Sequence, residues 1–211
     1  QLILEATDTA PIFENWKVGL RAGTGAVRPT EVWFDNVVVS ELLPPPTPSP
    51  SPTPTPAVPA ILDVPDLKQY SPPWNDDIYD TATQWSSNPT IERWGCALTS
   101  SSMVLQYFNH LINPDGLNDW LNSQPDGYIR NGLVNWLAIS RYTRQNSDAD
   151  SPILEYRRYG TDPTILSNEI ASGNPGILKI PGHFLVAKGD TEVDFNINDP
   201  ATTKTLLSEY G

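Results

Sequence analysis

A stretch rich in apolar positions follows the chain's single cysteine. Between Ala97 and Ile112 there is neither glycine nor proline, and hydrophobic side chains occupy too many positions to form one stripe. A helix that is apolar all round is buried on most of its sides. The run therefore predicts a buried helix that Cys96 directly precedes. The serines at 100–102 predict close packing near its start.

Further helices are predicted after this run. Between Asn113 and Leu137 the sequence indicates helix interrupted by loops, with apolar residues at helical spacing. These residues form two groups: Leu117, Trp120 and Leu121, then Leu133, Trp136 and Leu137. Asp162 followed by Pro163 is typical of an N-cap and a first helical position, which predicts a helix ending near Ala171.

Three strands are predicted near the end of the chain. Runs rich in β-branched and aromatic residues lie at 177–180, 183–188 and 193–198, and they are separated by Pro181-Gly182 and Gly189-Asp190. Helices followed by an antiparallel sheet are typical of an α+β domain, which we expect to cover 61–211. The front of this domain, 61–95, is rich in proline and asparagine and is expected to be irregular.

A proline-rich segment divides the chain. From Pro44 to Pro59 proline mostly alternates with serine or threonine, which favours polyproline II and predicts a linker over 44–60. At about 3.1 Å per residue this linker spans roughly 50 Å. Linkers of this composition commonly join modules of secreted and surface proteins. We therefore expect an extracellular or cell-surface location.

The segment before the linker, 1–43, predicts two or three strands, which are too few for an independent sandwich. Its stretches VGLRAG and VWFDNVVVSE resemble the final strands of a concanavalin/laminin-G-like β-sandwich. That resemblance implies an upstream module with a carbohydrate ligand. We expect the chain to be a piece of a longer protein, with more of the domain following Leu206–Tyr210.

The charge of the chain argues against two classes of binding partner. A net charge of −12 argues against nucleic acid and anionic membranes, because both require clustered Lys or Arg. No run approaches the roughly 20 apolar residues of a membrane span. No zinc-type Cys/His pattern or phosphate-binding loop is present, so no metal and no cofactor is expected. The acidic stretches 75–80 and 148–150 lack calcium-loop spacing and are interpreted as solvated loops.

Cys96 is the candidate nucleophile. Unpaired N–H groups and the dipole at a helix start favour the thiolate, which is the nucleophilic form. A cysteine nucleophile needs an imidazole, and the chain has two histidines. His110 is predicted on the same helix, roughly 20 Å away at 1.5 Å per residue, which leaves His183. A buried, inert Cys96 is the alternative interpretation.

Asp199 is the candidate third group. If the last two strands turn near Asp190-Thr191, residue 198 or 199 lies directly opposite His183, with Cβ atoms about 5 Å apart. A slip of one or two residues in this register stays open. Asp199-Pro200 also fits an ordinary turn opener, so both interpretations are retained.

Three stretches, WGCALTSSSMVLQYF, PGHFLVAKGD and INDPA, resemble bacteriocin-processing (double-glycine leader) peptidases and their extracellular relatives, which are papain-like cysteine peptidases. The resemblance runs from about Val64 to the end of the chain. It implies a papain-like fold, with a buried nucleophile helix packed on an antiparallel sheet. It also implies that Cys96 is the nucleophile, His183 the general base and acid, and Asp199 the orienting carboxylate.

The same resemblance implies a glutamine that helps to hold the oxyanion with the Cys96 N–H. Gln69, in VPDLKQYSPPW, matches that position best, and Gln84 is its competitor. Trp94 and Gly182, beside the predicted catalytic residues, are expected to contact the substrate. The chain departs from the family at 97–98, where Ala-Leu replaces the frequent Gly-Pro.

These observations favour an extracellular cysteine peptidase or amidase that cleaves a peptide or isopeptide bond in a peptide or protein substrate. The alternative is a catalytically inactive, peptidase-like binding module of a secreted or surface protein. A third hypothesis is an adhesive protein whose function lies in the upstream sandwich.

Overall fold

The computed structural model describes residues 61–191 and 193–211. The sandwich strands predicted within 1–43 and the linker predicted over 44–60 lie outside these residues. In the described part, helices come first and an antiparallel sheet of three strands follows. This order confirms the prediction of an α+β arrangement. None of the helices described is both long and apolar enough to cross a membrane.

The helices and strands are short. The helices are α1 Ile91–Trp94, α2 Cys96–Tyr107, α3 Pro114–Ser123, α4 Trp136–Gln145 and α5 Pro163–Ala171. The strands are β1 Gly176–Ile180, β2 His183–Asp190 and β3 Phe195–Asn198. Single 3-10 turns cover Ala82–Gln84 and Leu207–Tyr210. The front of the domain is largely irregular, as its composition predicts.

Helix α2 begins at Cys96 and is buried on most of its sides, as predicted. It ends earlier than the apolar run indicates, at Tyr107 rather than near Ile112. Asn109 takes a left-handed φ of +63°, and the N–H of His110 donates back to the Leu105 carbonyl at 2.9 Å. Such a left-handed residue closes a helix C-terminus. The prediction that His110 lies on α2 is therefore wrong.

Helix α2 packs between the other helices and the sheet. Met103 is fully buried and forms a cluster with Val64 and with Val186 of β2. On the side facing α3, Leu98 joins a second apolar cluster. The serines of the first turns, Ser100, Ser101 and Ser102, are also buried, which confirms the predicted close packing. Burial from both sides fixes the position of the helix start.

Helix α4 differs from its predicted pattern. Leu133 precedes the helix and Leu137 lies in its first turn, and they are 62% and 61% exposed. Asn135 caps α4 by accepting a hydrogen bond from the Leu137 N–H at 3.1 Å. The buried face of the helix instead carries Ala138 and Tyr142. The leucine spacing therefore predicts a helix near the correct place but the wrong buried face.

Helix α5 follows its predicted start. The Asp162 side chain accepts a hydrogen bond from the Thr164 N–H at 2.9 Å, and Pro163 occupies the first helical position. The carboxylate satisfies an N–H that has no partner within the helix, as N-cap residues do. The helix ends at Ala171, so its predicted bounds are confirmed.

The sheet has the order β1-β2-β3, with both pairs antiparallel. A two-residue turn of Pro181 and Gly182 joins the first pair and places Ile180 opposite His183. Gly182 has a φ of +72°, a left-handed conformation that glycine adopts without a steric penalty. This turn fixes where β2 starts, and His183 is its first residue.

The second hairpin has a different register from the one predicted. Asn198 lies opposite Val186, not opposite His183. The turn causes the difference, because Asp190 pairs with Phe195 and the turn therefore covers 191–194. The ladder is also irregular between Ala187 and Gly189, where an extra residue in β2 moves the later pairs one residue back toward the predicted register.

Candidate active site

The junction of α1 and α2 sets the position of Cys96. Gly95 ends α1 and begins α2, so the cysteine is the first residue of the longer helix. A Cβ at residue 95 would lie 2.6 Å from the Ile91 carbonyl oxygen and 2.7 Å from Ile91 Cγ2. Only glycine permits this close junction. Cys96 itself is partly exposed and forms no disulfide.

His183 is fixed by Asp199. Its Nε2 lies 2.9 Å from Asp199 Oδ1, and the exposed fractions of the two side chains are 17% and 0%. Because the Asp199 carboxylate accepts, Nε2 carries the proton in this contact. In the neutral ring Nδ1 then has a free lone pair, which is what a general base requires.

The loop after β3 fixes the Asp199 carboxylate. Oδ1 accepts from the N–H groups of Ala201 and Thr202 at 2.6 and 3.0 Å, which is the turn role considered from the sequence. It accepts from His183 as well, so the turn and the ring contact coexist. Burial raises the pKa of Asp199, but the hydrogen bonds from His183 and Ala201 outweigh it and hold the pKa below its usual value.

Cys96 is the second residue that acts on the imidazole. The pKa of His183 is raised from 6.5 to about 9, first by the hydrogen bond to Asp199 and next by a hydrogen bond with Cys96, while burial opposes the rise. Because Nε2 is turned to Asp199, Nδ1 is the ring nitrogen left for a contact with the thiol. The fold thus brings together the three residues that the sequence singles out as a nucleophile, a base and an orienting group.

Gln69 lies against the same site. Its side chain is buried, and Nε2 donates to the Glu92 carbonyl of α1. Its backbone N–H donates to the Pro200 carbonyl at 2.8 Å, next to Asp199. An amide nitrogen has two N–H groups, so one is left over after the contact with Glu92. The competing Gln84 is exposed, in the 3-10 turn of 82–84.

The two predicted substrate contacts have clear structural settings. Trp94 is 36% exposed, and its Nε1 donates to Ser86 Oγ and to the Asn88 carbonyl, both at 2.9 Å. Its ring also packs edge-on against Trp85, with centroids 5.2 Å apart. Gly182 has open space where a Cβ would lie. Contact of either residue with a substrate stays a prediction.

His110 serves the fold. Its ring is 3% exposed, its Nε2 lies 2.7 Å from the Pro152 carbonyl oxygen, and it packs edge-on against Tyr142. Its exclusion as the partner of Cys96 therefore rests on this buried contact and not on a position along α2.

Sequence reasoning missed two residues close to the site. The Tyr210 ring lies 6.3 Å from the His183 ring, centroid to centroid, and the Lys204 ammonium lies 3.7 Å from the Tyr210 centroid. Lys68 donates from Nζ to the Asp199 carbonyl at 2.7 Å. The contacts of Tyr210 with His183 and of Lys68 with Asp199 join parts of the chain that are distant in sequence. The available sequence signal for Lys68 is that it directly precedes Gln69.

Comparison with known proteins gives one match. Residues 61–209 match the sequence model of the Peptidase_C39 like family. The match covers well over half of the chain and includes Gln69, Cys96, His183 and Asp199. No curated protein and no solved structure matches at a significant level.

Proposed function

The chain belongs to the Peptidase_C39-like family, and from this premise we propose that it is a cysteine peptidase or amidase that cleaves a peptide or isopeptide bond. The observation that carries the proposal is the 2.9 Å contact between His183 Nε2 and Asp199 Oδ1. That contact leaves Nδ1 for the Cys96 sulfur. An oriented base beside a thiol is the arrangement that nucleophilic catalysis requires.

The first step is attack by sulfur. Nδ1 of His183, whose pKa is raised to about 9, takes and keeps the proton of the Cys96 thiol, and the thiolate sulfur then forms a bond to the substrate's carbonyl carbon. The carbonyl π electrons move to its oxygen, which gives a tetrahedral intermediate. Asp199, deprotonated and fixed by its loop, stabilises the imidazolium that has formed.

The oxyanion of the tetrahedral intermediate needs hydrogen-bond donors. The Cys96 N–H belongs to the first residue of α2, and the first N–H groups of a helix have no carbonyl partner within it. The remaining N–H of Gln69 Nε2 is the second donor in this proposal. Fixed donors of this kind, aimed at the developing charge, stabilise a tetrahedral intermediate strongly.

The second half of the reaction restores the enzyme. The His183 imidazolium gives its proton to the leaving nitrogen, the C–N bond breaks, and a thioester to Cys96 remains. Water, or an amine, then attacks the thioester carbon while His183 takes the attacking group's proton. The C–S bond breaks, and the proton returns to the sulfur.

The proposed substrate is a peptide or protein, which is consistent with membership of a peptidase-like family. Trp94 and Gly182 would line the approach to Cys96. An extracellular or cell-surface location and a carbohydrate ligand for the upstream module are further parts of the proposal. They are supported by the composition of 44–60 and the strand patterns of 1–43.

Peptide turnover tests the proposal. A library of peptides and isopeptides is incubated with the wild-type chain and with Cys96→Ala, and the products are identified by mass spectrometry. We expect cleavage by the wild type and none by the variant. Binding of the same ligand by both proteins, with turnover by neither, would favour the inactive binding module instead.

A further inference from the structure

We propose that Lys68 is a positioning residue for the Asp199 carboxylate, and that it also holds this carboxylate in register with the segment that carries Gln69. This inference rests on the proposed function, because it assigns to Lys68 the alignment of that same site. Lys68 is not among the residues that the sequence patterns single out.

The Lys68 ammonium has three hydrogen-bond partners. Its Nζ lies 2.7 Å from the Asp199 carbonyl oxygen, 2.9 Å from the Thr202 carbonyl oxygen and 2.8 Å from Asp66 Oδ1. An ammonium group has three donors, so this set accounts for each of them. The Lys68 side chain is only 15% exposed. The geometry is that of an enclosed cation and not of a mobile surface lysine.

The two carbonyl contacts span the turn that holds the carboxylate. Ala201 and Thr202 supply the N–H groups that bind Asp199 Oδ1. Lys68 binds the carbonyls of the residues at the two ends of this turn, Asp199 and Thr202. Loss of the ammonium would free both ends of the turn. The carboxylate that orients His183 would then have greater freedom.

The same lysine ties this turn to the glutamine segment. The Gln69 N–H donates to the Pro200 carbonyl at 2.8 Å, one residue along from the Lys68 contact. At the last residue of β3, Asn198 Nδ2 donates to the Val64 carbonyl at 2.8 Å. Trp74 Nε1 in turn donates to the Lys68 carbonyl at 2.8 Å. The segment with Gln69 and the turn with Asp199 are therefore fixed to one another.

The first test is kinetic. Lys68→Met keeps most of the stem and removes the three donors. We expect kcat to fall about tenfold or more with KM within about twofold, because misplacement of a catalytic group by a fraction of an ångström slows chemistry without weakening binding. Lys68→Arg should recover part of the loss. Lys179→Met, at an exposed position of β1, removes the same charge and should leave kcat unchanged.

The second test needs no turnover. The His183 Nε2–H proton is observed by NMR in the full chain, and its exchange with water is measured. We expect Lys68→Met to speed this exchange about tenfold or more, while Lys179→Met leaves it at the wild-type rate. Unchanged exchange in a folded Lys68→Met protein would overturn the positioning role. If the wild type cleaves nothing but the exchange result holds, the proposed function fails and the positioning role stands.

A folding control completes the experiment. Melting curves must show Lys68→Met folded at the assay temperature. If it is not folded, Lys68→Gln serves instead, because its uncharged side chain is one atom shorter and keeps two N–H donors but cannot reach both carbonyls as the ammonium does. We expect faster Nε2–H exchange in that variant than in the wild type. The wild-type exchange rate in folded Lys68→Gln would contradict the proposal.

Discussion

His183 Nε2 donates to Asp199 Oδ1 at 2.9 Å although the two residues do not face each other across the sheet. Asp199 directly follows β3, whose last residue, Asn198, pairs with Val186. The turn after the strand brings the carboxylate back to the start of β2. The register of the sheet and the geometry of the turn together therefore determine the contact between His183 and Asp199.

Removal of the Asp199 carboxylate should slow catalysis strongly. Asp199→Ala deprives His183 and two backbone N–H groups of their acceptor, and a hydrogen bond to a charged group contributes about 1.5–3 kcal/mol. We expect kcat/KM to fall roughly 10- to 100-fold. Asp76→Asn, which changes an exposed carboxylate, is the matched control. Wild-type rates in a folded Asp199→Ala protein would exclude the orienting role.

Stability should depend on pH through the His183–Asp199 pair. The pKa of His183 is raised from 6.5 to about 9, so its contribution is complete below 6.5 and is lost as pH rises through about 9. The pKa of Asp199 is lowered, so its contribution is complete above the unfolded value of 3.8 and is lost as pH falls through the folded pKa. Stabilisation by the pair is therefore greatest between these limits.

Melting temperatures at pH 6, 8 and 10 measure this dependence. We expect the wild type to lose more stability between pH 6 and pH 10 than His183→Gln, whose side chain does not titrate. Parallel curves for the two proteins would show that the His183–Asp199 contact does not stabilise the fold in this pH range.

The two glutamines should differ in their effect on rate. Gln69→Ala removes a proposed oxyanion donor, and the loss of one such donor lowers kcat by about 10²–10³ in known cases. Gln84→Ala, in an exposed turn, should leave kcat unchanged. The measurement is steady-state kinetics on any peptide that the wild type cleaves. Equal kcat values for Gln69→Ala and the wild type would remove Gln69 from the oxyanion site.

Substitution of Gly95 should disturb the position of the nucleophile. In Gly95→Ala the new Cβ would lie 2.6 Å from the Ile91 carbonyl oxygen, so α1 or α2 must shift. We expect a loss of about 1–3 kcal/mol in the free energy of unfolding, the usual cost of overpacking, and a slower reaction at Cys96. Gly160→Ala, which meets nothing within 4 Å, is the matched control. Equal stability of the two variants would show that the junction tolerates a side chain.

Part of this site can be predicted from the sequence, because its signals are local. Gly95-Cys96 precedes a run without glycine or proline, so a helix start close to Cys96 is predictable. The end of α2 is not, because it depends on the left-handed conformation of Asn109, a residue inside the same run. Apolar periodicity shows which face is buried but does not mark where a helix stops.

Contacts that join distant segments are harder to predict. The hairpin register depends on a turn over 191–194 and on an irregularity between Ala187 and Gly189. No pattern of residues in the sequence predicts either feature. Lys68 reaches the Asp199 carbonyl across 131 positions of sequence. The contact of His183 with Asp199 is nevertheless predictable, because both residues lie close to the ends of paired strands. Asp199 lies one residue beyond the end of β3, and the turn that follows brings its carboxylate to the His183 ring.

The rate at which iodoacetamide alkylates Cys96 at pH 6 tests the central claim most directly, since it requires no knowledge of the substrate. The chain has a single cysteine, so the mass increase reports on that thiol alone. If the His183 imidazole activates Cys96, the wild type should react at least about tenfold faster than His183→Ala and faster than a free thiol. Equal rates in the wild type and His183→Ala, no faster than the free thiol, would contradict the account.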